Sequence, residues 1–117
     1  MLEGLWITRF IDPPPEPNGI ASGVVVIETG RILGGDSGYL YLGEIAEKQG
    51  EGWPVSVRIK RHDERFGSIF GDVDDYVLTG RIVQNADSGQ GQFVILLGRN
   101  GSDEIAVSLT KAAELPG

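Results

Sequence analysis

Few residues in this chain can carry acid–base, nucleophilic or metal chemistry. His62 is the one histidine, and there is no cysteine. Gly35-Asp36-Ser37-Gly38 has the residue types that surround a nucleophilic serine. Such a serine works only when a histidine base, itself held by a third group, takes its proton. His62 lies inside Arg61-His62-Asp63-Glu64-Arg65, a charged run that reads as a solvated strand end, so no triad follows. The same four residues are fully explained as a tight turn, in which glycine supplies unusual backbone angles and Asp36 and Ser37 bond nearby N–H groups. Asp72-Val73-Asp74-Asp75 invites a calcium loop. In a twelve-residue EF-hand loop, however, Tyr76 would stand at the third-ligand position, Val77 at the glycine and Val83 at the bidentate glutamate. It reads as an acidic turn, and no metal or cofactor site is expected. Gly89-Gln90-Gly91 lacks a third glycine and precedes a strand, so it is not a dinucleotide loop. Arg58, Lys60, Arg61 and Arg65 form the basic cluster of the chain. Asp63 and Glu64 break it, and it reads as the wet face of a strand.

The elements that position these residues are read from composition and period. At 117 residues with 40% hydrophobic and 23% charged residues, the chain has the make-up of one globular domain, here taken as 1–117. A formal charge of −7 argues against direct nucleic-acid binding, which needs Lys and Arg gathered against phosphates. Met1-Leu2-Glu3-Gly4 has no basic stretch ahead of a long apolar run, and no segment approaches the length of a membrane span. With no thiol to protect or pair, the expected location is the cytoplasm and no membrane contact is expected.

Pro54 to Arg61 has the clearest alternation. Val55, Val57 and Ile59 face a core, and Ser56, Arg58 and Lys60 face water. Gly4 to Asp12 reads as a first strand with Trp6, Thr8 and Phe10 inward, ended by Pro13, Pro14, Pro15 and Pro17. Gly19 to Thr29 is a second strand, apolar on both faces, and Thr29-Gly30 turns into a short third strand at Arg31-Ile32-Leu33. The turn around Gly34 to Gly38 leads to a strand from Tyr39 to about Glu47. Lys48-Gln49-Gly50-Glu51-Gly52 is a hairpin loop. Further strands are expected at Tyr76–Val83, Gln92–Arg99 and Glu104–Lys111, with a tight turn at Asn100-Gly101 and a frayed tail from Ala112. Arg61 to Asp75 has no clear period, and Phe66 to Phe70 admits a helical turn. About eight antiparallel strands joined by hairpins predict an all-β, up-and-down barrel, which leaves no open edge.

The opening Gly4-Leu5-Trp6, the Gly30-Arg31-Ile32 turn and Gly34-Gly35-Asp36 followed by Tyr41 and Gly43 resemble the GrlR-type family, small negative regulators of type III secretion genes. The Gly4-x-Trp6 opening is also similar to lipocalin first strands. The resemblance implies a cytoplasmic, lipocalin-like barrel that forms a homodimer, binds and silences a transcription activator, and has no enzymatic activity. In the family, an acidic run in the hairpin after the Tyr-x-Gly strand has been tied to that partner. Here the stretch is Glu47-Lys48-Gln49-Gly50-Glu51-Gly52, so Glu47 and Glu51 are the candidate partner contacts and the same partner does not follow. Strands apolar on both faces leave Val24 and Val26, or Val94 and Leu96, pointing outward, which is the expected dimer interface. The other reading is a carrier or sensor of a small apolar ligand inside the barrel. Trp6, Phe10, Tyr39 and Tyr41 would then line the cavity, unless they simply fill the core.

Overall fold

The computed structural model describes residues 2–12, 22–65, 74–84, 92–99 and 105–116. Eight strands follow in chain order: β1 (Gly4–Asp12), β2 (Ser22–Glu28), β3 (Arg31–Gly35), β4 (Tyr39–Ile45), β5 (Gly52–Arg61), β6 (Asp75–Gln84), β7 (Phe93–Gly98) and β8 (Ile105–Ala113). Each pairs antiparallel with its sequence neighbours, and β1 closes on β8, giving an eight-stranded up-and-down barrel. The closing pair carries irregularities at Leu5/Trp6 and Phe10/Asp12, of the kind that bend a sheet into closure.

The period-two pattern decides the faces. Val55, Val57 and Ile59 on β5 are buried while Ser56, Arg58 and Lys60 are exposed. Trp6, Val25, Ile27, Ile32, Leu78, Ile82, Ile95, Leu97, Ile105 and Leu109 complete an apolar interior. A membrane-spanning barrel turns an apolar band outward all round; here β5 turns Ser56, Arg58 and Lys60 out. Among the described residues no helix is long and apolar enough to cross a membrane.

Two connections show how local sequence shapes the barrel. Thr29 and Gly30 link β2 to β3 with φ of 53° and 73°, the two positive angles of a type I′ hairpin turn, which matches strand twist. Gly30 suits this geometry, whereas Thr29 is β-branched and strained in it. Its N–H is held by the Glu3 carboxylate, at 3.1 Å from Oε2. The pair Gly34-Gly35 lies within β3, not in a turn as the sequence suggested. A Cβ on Gly34 would sit 2.0 Å from the Val24 carbonyl oxygen, and one on Gly35 would sit 2.5 Å from that of Tyr39. The glycines therefore let β3 press against β2 on one side and β4 on the other. The turn itself is Asp36 to Gly38.

Other boundaries shift slightly. β4 ends at Ile45 and β5 begins at Gly52, with a Gln49–Gly52 bridge in the hairpin. The expected fraying from Ala112 is corrected as well. Ala112 and Ala113 belong to β8, and Lys111 Nζ pairs with Glu114 Oε1 at 2.7 Å. The expected helical turn at 66–70, the proline run and Asn100-Gly101 lie outside the described residues.

The topology gives the barrel two unlike ends. The lower end holds the start of β1, the end of β8, the β2–β3 turn and the β4–β5 loop. The upper end holds the β3–β4 turn, the last residues of β1, β5 and β7 and the first residues of β2, β6 and β8.

Candidate functional site

The lower end is packed with aromatic rings. The Trp6 and Phe93 rings meet edge to face with centroids 5.6 Å apart, and Trp53 meets Phe93 at 5.9 Å. Such T-shaped contacts suit the ring quadrupoles. Trp6 is 1% exposed, and its indole N–H donates to the Leu2 carbonyl at 2.8 Å. Ammonium groups lie over both indoles, Lys48 Nζ 4.8 Å from Trp53 and Lys111 Nζ 5.8 Å from Trp6. The Lys48 contact ties the β4–β5 loop to the barrel, leaving Glu47 and Glu51 exposed on it.

The upper end is organised by Asp36. Its Oδ1 accepts from the N–H groups of Gly38 at 2.9 Å and Tyr39 at 2.8 Å, and its Oδ2 accepts from the Tyr41 hydroxyl. Asp36 thus fastens the turn to the barrel interior through Tyr41, two positions into the next strand's inward face. Burial, and then the Asp36 carboxylate as hydrogen-bond acceptor and neighbouring charge, hold the Tyr41 phenol well above its ordinary pKa, so it stays a neutral donor. His62 joins from the end of β5. Its N–H donates to the Gly38 carbonyl at 2.8 Å, and its ring Nε2 lies 2.9 Å from the Asp36 carbonyl oxygen. The Gly-Asp-Ser-Gly turn and the histidine therefore meet in space, through the main chain of Asp36.

All four aromatic residues expected inside the barrel are placed in or against its core. Trp6 and Tyr39 are buried, while Phe10 and Tyr41 are partly buried and packed on it. Trp6 belongs with Phe93 and Trp53 at the lower end; Tyr39 and Tyr41 stand beside the Asp36 turn. Sequence reasoning passed over Trp53 and Phe93 below; above, it read Tyr76 only as a strand residue and Arg61 as part of a wet basic face. Tyr76 is paired in register with Ile59, and Ile59 with Tyr41.

The basic cluster is not one wet face. Arg58 Nε and Nη2 donate to the two Asp75 carboxylate oxygens at 2.9 and 2.5 Å on the outside. This pairing raises the Arg58 pKa and lowers that of Asp75. Arg65 forks onto Asp63 and pushes that carboxyl down to about 2. Arg61 instead follows Ile59 in phase, opposite Tyr39, and its side chain is only 10% exposed. It pairs with Asp74, which is 75% exposed. The parity was legible in the alternation of β5, but a charge at a strand end looks solvated until the neighbouring strands are placed. Of the acidic run 72–75, Asp74 and Asp75 serve these ion pairs and the other two residues lie outside the described part.

The outer wall carries a second feature. Outward side chains on adjacent strands form one register row Leu5–Val26–Leu33–Leu42, flanked by Ile7–Val24 and by Leu40 opposite Gly35. Leu33 is 52% exposed, Val24 46%, Leu40 40% and Leu42 38%. The row ends at Arg58 on β5, which is paired with Leu42. Val94 and Leu96, the other expected outward pair, also point out but are half-buried, beside Ser108 and Ala106 of β8.

No family model, curated protein or solved structure matches this chain. Its two distinctive surfaces, the tyrosine-lined upper end and the apolar wall of β1 to β4, are therefore read on their own chemistry.

Proposed function

We propose that this protein acts by binding another protein, as a small regulatory barrel, and not by catalysis. The observation that carries the reading is the apolar strip across β1 to β4. Water-facing strands normally alternate with polar residues, as β5 does with Ser56, Arg58 and Lys60. Val24, Leu33, Leu40 and Leu42 break that rule on three neighbouring strands, and contiguous exposed apolar surface marks interaction sites. The strip includes Val24 and Val26, so a homodimer closing β2 to β4 of one protomer on those of its partner covers it. Glu47 and Glu51, exposed on the β4–β5 loop at the lower end, remain accessible in that arrangement for a further protein partner. The reading is of the kind that the GrlR-type resemblance implies, a cytoplasmic regulator acting by protein binding, for example by sequestering a transcription activator.

Light scattering at micromolar concentration tests the first step. A dimer mass that falls to monomer in Leu33→Glu, with the melting temperature kept, supports it, and a monomeric wild-type protein overturns it. Deleting the gene in its own organism tests the second. Transcripts of type III secretion genes should rise, and unchanged transcripts overturn that role.

A second reading is favoured by the upper end. Tyr39, Tyr41 and Tyr76 share the inward face near the upper ends of β4 and β6, next to the apolar core, residue types that suit a small, mostly apolar ligand with a polar end.

A further inference from the structure

The apolar strip on the outer wall is too small to close a dimer by itself. Four strands spaced about 4.8 Å and two rows of outward side chains spaced about 7 Å project roughly 270 Å², against about 800 Å² per partner in a standard interface. The wall also curves, by about 45° per strand in an eight-stranded closure, so a partner seated on β2 and β3 meets β1 and β4 only at its flanks. The charged residues that border the strip must therefore enter the interface, and they decide how a second copy can sit. Below the strip, register sets Glu28 beside Arg31 and Arg31 beside Glu44, all three exposed. Acid, base and acid thus alternate across β2, β3 and β4. Past the strip, β5 sets Lys60 beside Leu40.

Twofold axes can be compared on these charges. An axis along the centre of β3 lays Arg31 on its own copy and Glu28 on the partner's Glu44, which opposes like charges. An axis between β3 and β4 presses Lys60 onto the partner's Val24 and withdraws an ammonium from water without an anion. An axis across the strands lays Glu28 and Glu44 on the partner's Val24 and Leu40. An axis along the strands between β2 and β3 has none of these conflicts. It lays Leu33 on the partner's Val26 and Val24 against Gly35, which has no side chain. It also places Glu28 on the partner's Arg31 and, by symmetry, Arg31 on the partner's Glu28.

We infer that two copies of this chain associate with β2 of one over β3 of the other, and that two symmetric Glu28–Arg31 ion pairs fix the register of the dimer. This rests on the homodimer reading and adds the residues that make the interface specific. The apolar strip supplies the attraction, and the alternating charges exclude the other placements.

Native mass spectrometry and sedimentation of the whole protein at micromolar concentration test the arrangement, with Glu28→Lys, Arg31→Glu and an equal mixture of the two. Each variant alone sets like charges together at two symmetric places and should weaken self-association about tenfold. The mixture should form a heterodimer about as tight as wild type, because every acid then faces a base. Glu44→Lys, at the flank, should change the dimer by less than about threefold. A monomeric wild-type protein overturns the homodimer reading and this arrangement with it. A wild-type dimer that Glu28→Lys leaves unchanged or tightens keeps the homodimer and overturns the arrangement. So does a dimer that Glu44→Lys weakens more than Glu28→Lys does, or a mixture with no excess of heterodimer. Should Arg31→Glu fail to fold, cross-linking decides in its place, since the chain has no cysteine of its own. With a bismaleimide spanning about 10 Å, the separation of packed sheets, a mixture of Val26→Cys and Leu33→Cys should link more than either alone. Leu33→Cys linking best to itself overturns the arrangement.

Discussion

Replacing Tyr41 by phenylalanine removes one oxygen and nothing else, and it isolates the bond that ties the Asp36 turn to the barrel. The Asp36 carboxylate keeps the Gly38 and Tyr39 N–H groups on Oδ1 and loses the phenol on Oδ2. A hydrogen bond to a charged group contributes about 1.5–3 kcal/mol. Asp36 is only half-buried, so water can reach the vacated oxygen and the lower figure applies, about 1.5 kcal/mol. For a chain of 117 residues, an unfolding entropy of about 2.1 cal/mol/K per residue totals about 0.25 kcal/mol/K, which converts the loss to about 6 °C in Tm. Tyr41→Ala, which also empties the space of the ring, should cost about 3–5 kcal/mol. The pH dependence supplies a second signature. The folded pKa of Tyr41 lies above the unfolded value of about 10, so its contribution is complete below pH 10 and is lost as the pH climbs beyond it. Urea denaturation of wild type and Tyr41→Phe at neutral pH and near pH 10.5 measures both effects. The difference between the two proteins should be largest at neutral pH and shrink in alkali. A Tyr41→Phe protein within 0.5 kcal/mol of wild type at neutral pH would refute the claim that this bond holds the turn.

Thr29→Asn should stabilise the β2–β3 hairpin by about 0.5–1 kcal/mol, because asparagine accepts the positive φ that a β-branched residue resists; thermal melts followed by circular dichroism read the rise. Gly80→Ala should impair folding, since its Cβ would lie 1.7 Å from the Leu96 carbonyl oxygen and β6 would have to move off β7; loss of the cooperative melt checks it. The ion pairs of Asp63 and Asp75 lower their carboxyl pKa values below the unfolded ones. Their stabilisation is therefore present above about pH 4 and fades as the pH falls toward 2. Arg65→Gln and Arg58→Gln should flatten that acid limb in pH-dependent denaturation and leave the neutral range little changed.

Much of the barrel was determined locally. The alternation of Val55, Val57 and Ile59 with Ser56, Arg58 and Lys60 commits β5 to a sheet with one wet face whatever surrounds it, because a strand presents successive side chains to opposite sides. Thr29-Gly30, and Asp36 ahead of Gly38, likewise mark turns through bonds made within a few residues. Other features depend on atoms far away in the chain. Gly34-Gly35 read as a turn because glycine's freedom serves a turn and a close approach equally well; only the positions of the Val24 and Tyr39 carbonyls make them strand residues. Phe93 sits in a strand apolar on both faces, so nothing nearby said that its ring would meet Trp6 and Trp53. The outward set on β2, β3 and β4 was visible strand by strand, at Val24 and at Leu40 and Leu42. That these side chains form one strip follows from register, which hydrogen bonds between strands decide. Arg61 shows the division most sharply. Its parity on β5 pointed inward and its charge pointed outward. The conflict is resolved by Asp74, just ahead of β6 on the neighbouring strand, which supplies a partner for the charge.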